Sequence, residues 1–118
     1  MTTPSIDATQ AMKRIYVSGP MTGLPEFNFP AFHAATTALR EKGFEAINPA
    51  EINTETGGDW HFYLRADIKA LCDCDTLALL PGWQTSSGAH LELHIAHRLK
   101  MNFVLVAVLL VEPEVMAA

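Results

Sequence analysis

The stretch that decides the fold prediction spans residues 86–100: Ser86-Ser87-Gly88-Ala89-His90-Leu91-Glu92-Leu93-His94-Ile95-Ala96-His97-Arg98-Leu99-Lys100. On a helical wheel of about 100° per residue, its alanine, leucine and isoleucine side chains share one arc, and its histidines and Arg98 occupy the opposite arc. This pattern predicts an amphipathic helix packed on a core. Glu92 falls near the middle of the apolar arc, so it is the first candidate for a functional group. The alternative is an acid at the edge of a loosely packed face, or one in a buried ion pair.

Strand and helix patterns alternate along the rest of the chain. Strands are predicted at 13–18, 44–47, 76–80 and 103–111, and helices at 28–43, with a capping Asn28, and at 60–72, with a capping Asp59. Strands that alternate with helices indicate right-handed crossovers and a mostly parallel sheet covered on both faces. Ligands of such sheets bind beyond the carboxyl ends of the strands.

Length and composition indicate a single domain. The chain has 118 residues, of which 49% are hydrophobic, enough for one core. We assign residues 1–12 to a flexible leader, 13–111 to the domain and 112–118 to a tail. The net charge of −5 argues against a nucleic-acid polymer as partner and favours a small ligand.

The cysteines and the longest apolar run bear on localisation. Cys72 and Cys74 are separated by one residue and point poorly for a mutual bridge, which favours a reducing cytoplasm. The apolar run at 103–111 is far shorter than the roughly 20 residues that a membrane-spanning helix needs. We therefore expect a cytoplasmic protein without a membrane partner.

Two loops that follow strand ends are candidate ligand contacts. The loop after the first strand begins with Ser18, Gly19, Pro20 and Met21, whose small residues let backbone amides approach a polar or anionic ligand. An ordinary turn explains the same residues. The loop before the opening helix brings Ser86, Ser87 and Gly88 to a helix N-terminus, which favours a phosphate or carboxylate. An ordinary serine N-cap is the alternative.

Three further side chains are expected near Glu92. Tyr16, near the end of the first strand, can place its hydroxyl on the Glu92 carboxylate, although half-buried strand tyrosines are common. Asp67 supplies a second carboxylate from another helix, unless it is only solvated. Two acids in a cleft suit cleavage of a bond to an anomeric carbon through an oxocarbenium-like transition state. Trp83 is positioned either to stack on a base or to pack as a lid.

The histidines of the opening helix are a weaker signal. His90, His94 and His97 have helical spacings of four and three, which can place imidazoles together on a metal. Their side of the helix faces solvent, and no H-E-x-x-H pattern accompanies them. We expect no metal and no other cofactor, and a metal-binding regulator is the third functional reading.

An ordered set of motifs resembles the nucleoside 2-deoxyribosyltransferase superfamily, and especially its small phage and bacterial branch of the DUF4406 type. The motifs are Ile15-Tyr16-Val17-Ser18-Gly19-Pro20, Asp67, and Ser86-x-Gly88-x-x-x-Glu92, within a resemblance that runs from about Lys13 to Val106. The resemblance implies a flavodoxin-like three-layer sandwich with a mostly parallel sheet of four to five strands. It also implies cleavage or transfer at the N-glycosidic bond of a nucleotide or (deoxy)nucleoside.

The resemblance assigns roles to individual residues. Glu92 matches the catalytic glutamate that attacks C1′ or stabilises the cation, Tyr16 the tyrosine that orients it, and Asp67 the aspartate that assists protonation of the leaving base. Ser86 stands where transferases of free nucleosides carry Asp, and it is similar to the phosphate-holding serine of nucleoside 5′-monophosphate N-glycosidases.

The sequence departs from the family's pattern at two places, and the resemblance also implies an assembly state. His94 replaces the family's usual Gly, and the segment after the last strand is short, so base contacts or activity can differ. The resemblance further implies a homodimer or larger homo-oligomer. The alternative function, from a different class, is a non-catalytic nucleotide-binding module on the same fold.

Overall fold

A computed structural model describes residues 12–52 and 58–111 of the chain. The predicted tail, the predicted leader apart from Met12, and residues 53–57 of the loop after the second strand lie outside the described residues.

The described residues form a mixed α/β fold around a four-stranded parallel sheet, as the alternation of patterns predicts. The strands are β1 (Arg14–Ser18), β2 (Glu45–Ile47), β3 (Thr76–Leu79) and β4 (Asn102–Leu105), in the spatial order β2-β1-β3-β4. The helices are α1 (Phe29–Glu41), α2 (Pro49–Ile52), α3 (Trp60–Cys72), α4 (Ser87–Arg98) and α5 (Val106–Leu109), with 3₁₀ turns at Pro25–Asn28 and Trp83–Thr85. This architecture is compatible with a flavodoxin-like sandwich.

Alternation of side chains along the strands divides the core into two faces. Ile15 and Val17 of β1 pack with Phe32 and Leu39 of α1. Tyr16, between them in sequence, belongs to the opposite cluster, which also holds residues of β3, α3 and α4: Leu77, Leu79, Leu71 and Ala96. The period of two in a strand therefore directs every second residue of β1 toward α3 and α4.

Side chains at two helix starts act as N-caps, and a third does not. The Asp59 carboxylate accepts a hydrogen bond from the Phe62 amide (2.8 Å), and the Ser86 hydroxyl accepts one from the Ala89 amide (3.1 Å). Both satisfy amides that would otherwise lack a partner in the first turn. The predicted capping role of Asn28 is wrong, because its side-chain amide donates instead to the Pro20 carbonyl (3.0 Å) and so ties down the loop after β1.

The prediction of a last strand at 103–111 is confirmed only for residues 103–105 and is wrong beyond them. β4 ends at Leu105, and the chain continues as helix α5. Among the described residues, β4 pairs with β3 alone, and the four residues of β3 match Asn102 to Leu105 one to one, so the described part of the chain offers β4 no strand to pair with beyond that point. A short apolar run does not distinguish a buried strand from a buried helix, which explains the error.

The buried arc of α4 has Glu92 at its middle, as the wheel predicts, but is narrower than predicted. Its buried residues are Ala89, Glu92 and Ala96, whereas Leu91 and Leu99 are 36% and 55% exposed. The two alanines, one turn on either side of Glu92, let the helix backbone approach the sheet closely. Glu92 is therefore enclosed by small residues of its own helix and by the side chains of β1.

Candidate active site at the carboxyl end of β1 and β3

The order of the strands reverses at β1. β2 pairs with one edge of β1 and β3 with the other, and in sheets of this kind ligands bind beyond the carboxyl ends of the strands at such a reversal. The two loops that leave this point are in close contact. The Leu80 amide donates to the Ser18 carbonyl (2.8 Å), and a Cβ added to Gly19 would lie 2.8 Å from the Leu80 Cβ. Only glycine allows this approach at position 19.

Glu92 of α4 lies beside the carboxyl end of β1, and both of its carboxylate oxygens are hydrogen-bonded. The Tyr16 hydroxyl donates to Oε2 (2.8 Å), and the Ser18 hydroxyl donates to Oε1 (2.6 Å). Glu92 is 6% exposed, and both donors are buried. The predicted contact between Tyr16 and Glu92 is thus confirmed, while its catalytic role stays a prediction.

Burial changes the acidity of this carboxyl group. Removal from water raises the pKa of Glu92 from 4.5 to about 7, an effect that the hydrogen bonds from Ser18 and Tyr16 oppose and that the negative charge of Asp67 reinforces. Near neutral pH the group is therefore divided between its ionised and protonated forms.

Asp67 of α3 belongs to the same electrostatic environment. Its side chain is half-buried, and its charge raises the pKa values of both Glu92 and Tyr16. For Tyr16, burial is the larger cause, followed by the charge of Glu92. The Tyr16 hydroxyl consequently keeps its proton and remains a donor. The structure brings Glu92, Tyr16 and Asp67 together from three elements, α4, β1 and α3.

Ser18 has a different place from the one its sequence position indicates. It is predicted as a ligand contact in the loop after β1, but its side chain is 1% exposed and donates to Glu92. A sequence signal for this contact exists. Ser18 is two residues after Tyr16, so both side chains project from the same face of the strand toward α4.

The other predicted contacts in that loop are divided between the two sides of the sheet. Pro20 is buried, and a Cβ on Gly82 would lie 3.3 Å from its Cγ, which brings the loops after β1 and β3 together. Gly82 has φ +86°, a conformation that favours glycine. Met21 packs against the core beneath α1, on the opposite face from Glu92. Its side chain is therefore directed away from the carboxylate.

The predicted contacts before α4 remain close to the site. Trp83 is half-buried, packs on the cluster that contains Tyr16, and has its ring centre 5.2 Å from that of His90. Ser86 caps the helix, and Ser87 is exposed at its first turn. The N-terminus of α4, with the exposed Ser87, therefore lies beside the carboxyl end of β3.

The histidines of α4 lie outside this site. His90, His94 and His97 are exposed, and with Leu93 and Phe103 they line a shallow depression of about 300 Å³. His90 Nε2 lies 2.8 Å from the Gln84 carbonyl oxygen. Within residues 12–52 and 58–111, no group of three or more His, Cys, Asp or Glu side chains is arranged to hold a metal ion. In the same ranges, every helix is too short or too polar to cross a membrane.

The fold and the site together define an α/β sandwich protein with a buried, hydroxyl-bound carboxylate at the reversal of strand order. Residues 13–105 match the model of a family described as a domain of unknown function, DUF4406, and the chain belongs to this family. A comparison with curated proteins gives no match.

Proposed function

We propose that this protein cleaves or transfers at the N-glycosidic bond of a nucleotide or (deoxy)nucleoside, as members of the nucleoside 2-deoxyribosyltransferase superfamily do. The observation that carries the proposal is the Glu92 carboxylate, which is buried at the reversal of strand order and held on both oxygens by hydroxyls of β1.

The chemistry of this bond needs a carboxylate beside the sugar. Departure of the base leaves positive charge on C1′ and the ring oxygen, and an ionised carboxylate either attacks C1′ or stabilises that charge. Glu92 retains an ionised fraction at neutral pH because its pKa is about 7, and burial strengthens its interaction with a developing cation. Tyr16 fixes the orientation of the carboxylate through Oε2.

The leaving base needs a proton, and Asp67 is the candidate donor. It is a second half-buried carboxyl group near Glu92 and Tyr16, and the mutual repulsion of the two acids favours one proton shared between them, which Asp67 carries in the molecules in which Glu92 is ionised. One ionised and one protonated acid is the combination that glycosidic cleavage requires.

The start of α4 supports a substrate that carries a 5′-phosphate. The Ser86 oxygen accepts the cap hydrogen bond from Ala89, which leaves the hydroxyl hydrogen for a ligand oxygen. The adjacent amides and the dipole of this twelve-residue helix also favour an anion. Glu92 is six residues beyond Ser86, between one and two turns further along the same helix, in keeping with a sugar that follows its phosphate.

A substrate panel tests the proposal. Nucleoside 5′-monophosphates and the matching nucleosides, in ribose and deoxyribose forms, are incubated with the protein, and free base is separated by chromatography. We expect base release from the monophosphates, its loss in Glu92→Ala, and its retention in Glu41→Ala, which removes an exposed glutamate of α1. Release that persists unchanged in Glu92→Ala contradicts the mechanism. Tight binding without release, retained in Glu92→Gln, identifies the non-catalytic nucleotide-binding module instead.

A further inference from the structure

Ser18 makes the shorter of the two hydrogen bonds to Glu92, 2.6 Å against 2.8 Å for Tyr16. Its backbone is fixed, because the Ser18 carbonyl accepts from the Leu80 amide and Gly19 is in close contact with the Leu80 side chain. A hydroxyl on such a backbone has little freedom to turn away. The bond is therefore built into the junction of β1 and β3.

We propose that Ser18 is a positioning residue, which holds Oε1 of Glu92 in place and keeps the carboxylate ionised at the pH where the protein works. The proposal rests on the function proposed above, because it assigns Ser18 to the reacting carboxylate and not to the substrate.

The charged surroundings of Glu92 show why a neutral donor matters. Asp67 of α3 disfavours the ionised form, and Tyr16 of β1 donates one hydrogen bond to it. β3, β4 and the turn Trp83–Thr85 carry no titratable side chain, and the histidines of α4 are exposed on its other face. The two donors that the structure gives Glu92 are both uncharged hydroxyls. Burial and the charge of Asp67 raise the pKa of Glu92, and the two hydrogen bonds lower it. Loss of either hydrogen bond should therefore let that pKa rise further.

A buried hydroxyl elsewhere provides a matched control. Thr36 of α1 is 1% exposed, like Ser18, and donates to the Phe32 carbonyl (2.7 Å) on the opposite face of the sheet. Thr36→Ala therefore removes a buried hydroxyl and its hydrogen bond without altering the environment of Glu92. Ser18→Thr keeps a hydroxyl at position 18 and serves as the conservative variant.

The direct test is a titration of the Glu92 carboxyl carbon by NMR in the substrate-free protein, with the signal assigned by its absence in Glu92→Gln. We expect Ser18→Ala to raise the pKa of Glu92 by about one to two pH units, since a hydrogen bond to a charged group has that effect. Thr36→Ala should leave it unchanged, and Ser18→Thr should restore it. A Glu92 titration that moves no further in Ser18→Ala than in Thr36→Ala overturns the proposal.

The pH profile of base release separates this proposal from the proposed function. In Ser18→Ala the acidic limb of kcat should move to higher pH by the same amount as the NMR titration. If Ser18 were only structural, both Ser18→Ala and Thr36→Ala would lower Tm and neither would move the limb. Absence of base release in every variant, with the NMR shift present, overturns the enzymatic function and leaves the control of Glu92 ionisation by Ser18 standing. Base release with an unmoved limb overturns the role of Ser18 alone.

Discussion

Two carboxylates are located near opposite ends of the same pair of strands, and they are held by different donors. Asp75, just before β3, accepts from the backbone amides of Lys13 and Arg14, at 2.9 to 3.2 Å, and from the Thr76 hydroxyl at 2.7 Å. Its backbone also joins β1 and β4, through Arg14 and Asn102. Glu92, at the other end, is buried and accepts from two side-chain hydroxyls, those of Tyr16 and Ser18.

The difference separates a carboxylate that joins strands from one that is a candidate for function. Asp75 is half-buried and accepts hydrogen bonds from the backbone amides at the start of β1. Its charge therefore stabilises the contact between strands. Burial raises the pKa of Glu92 and so opposes its ionisation, and the Glu92 carboxylate takes no part in strand pairing. A buried acid of this kind is a candidate for function, since perturbed pKa values cluster at functional sites.

Asp67→Asn should produce the largest change in rate among the supporting residues. Loss of the proton donor for the leaving base is expected to lower kcat roughly a hundredfold or more. In the molecules in which Asp67 is ionised, its charge raises the pKa of Glu92, so the substitution should also lower that pKa and move the acidic limb of the profile to lower pH. Steady-state base release across pH measures both effects.

Asp59→Asn is the matched control for Asp67, because it removes the same charge from the same helix at a cap position that Asn also satisfies. It should leave both the rate and the pH profile unchanged. Equal losses of kcat in the two variants would show that activity depends on the charge of α3 and not on a proton donor at Asp67.

Glu92→Gln should change the pH dependence of stability. Because the pKa of Glu92 rises from 4.5 to about 7 on folding, protonation favours the folded state, and this contribution is full below pH 4.5 and lost as pH rises through about 7. The shift corresponds to about 3 kcal/mol. Urea unfolding should therefore find Glu92→Gln more stable than the unmodified protein at pH 8, with the gain disappearing near pH 4.5. A gain that is the same at both pH values would refute the buried-acid account.

Asp75→Ala should lower the free energy of unfolding by about 1 to 2 kcal/mol, because the amides at the start of β1 lose a charged acceptor and are left to water. Activity per folded molecule should not change. Asp73→Ala, at an exposed position nearby, is the control and should be close to neutral. Chemical denaturation at pH 7 compares the two. A loss of kcat in folded Asp75→Ala would remove the distinction between the two ends of the sheet.

Ser86→Ala should give the smallest effect. Loss of the N-cap of α4 costs about 1 kcal/mol of stability. If the hydroxyl also contacts a phosphate, KM for a nucleoside monophosphate should rise more than KM for the corresponding nucleoside. Equal changes in the two KM values would confine Ser86 to capping.

Most of the scaffold is predictable from the sequence, because the strands and long helices have strong periodicity and clear ends. Glu92 is also predictable, since a carboxylate in an apolar arc is visible on a wheel. The limits of β4 are not, because they are set by the length of β3, a tertiary partner. The exposure of Leu91 and Leu99 is missed because large apolar residues carry more weight in the pattern than alanines, which allow close approach.

The two hydroxyls that donate to Glu92 also differ in how visible they are in the sequence. Tyr16 is conspicuous in the strand pattern, whereas Ser18 resembles an ordinary residue at the start of a loop. The predicted strand at 13–18 places Ser18 on the face of Tyr16, and the structure shows it within reach of Glu92.

The most direct measurement compares base release from nucleoside 5′-monophosphates by the unmodified protein, Glu92→Gln and Asp75→Asn, with each variant first shown to be folded. Both substitutions replace one carboxylate by an amide of the same shape, at opposite ends of the sheet. We predict that Glu92→Gln lowers kcat roughly a thousandfold or more, as loss of a group that acts on the reacting atoms does, and that Asp75→Asn retains it. Equal activity in Glu92→Gln and the unmodified protein would contradict the account.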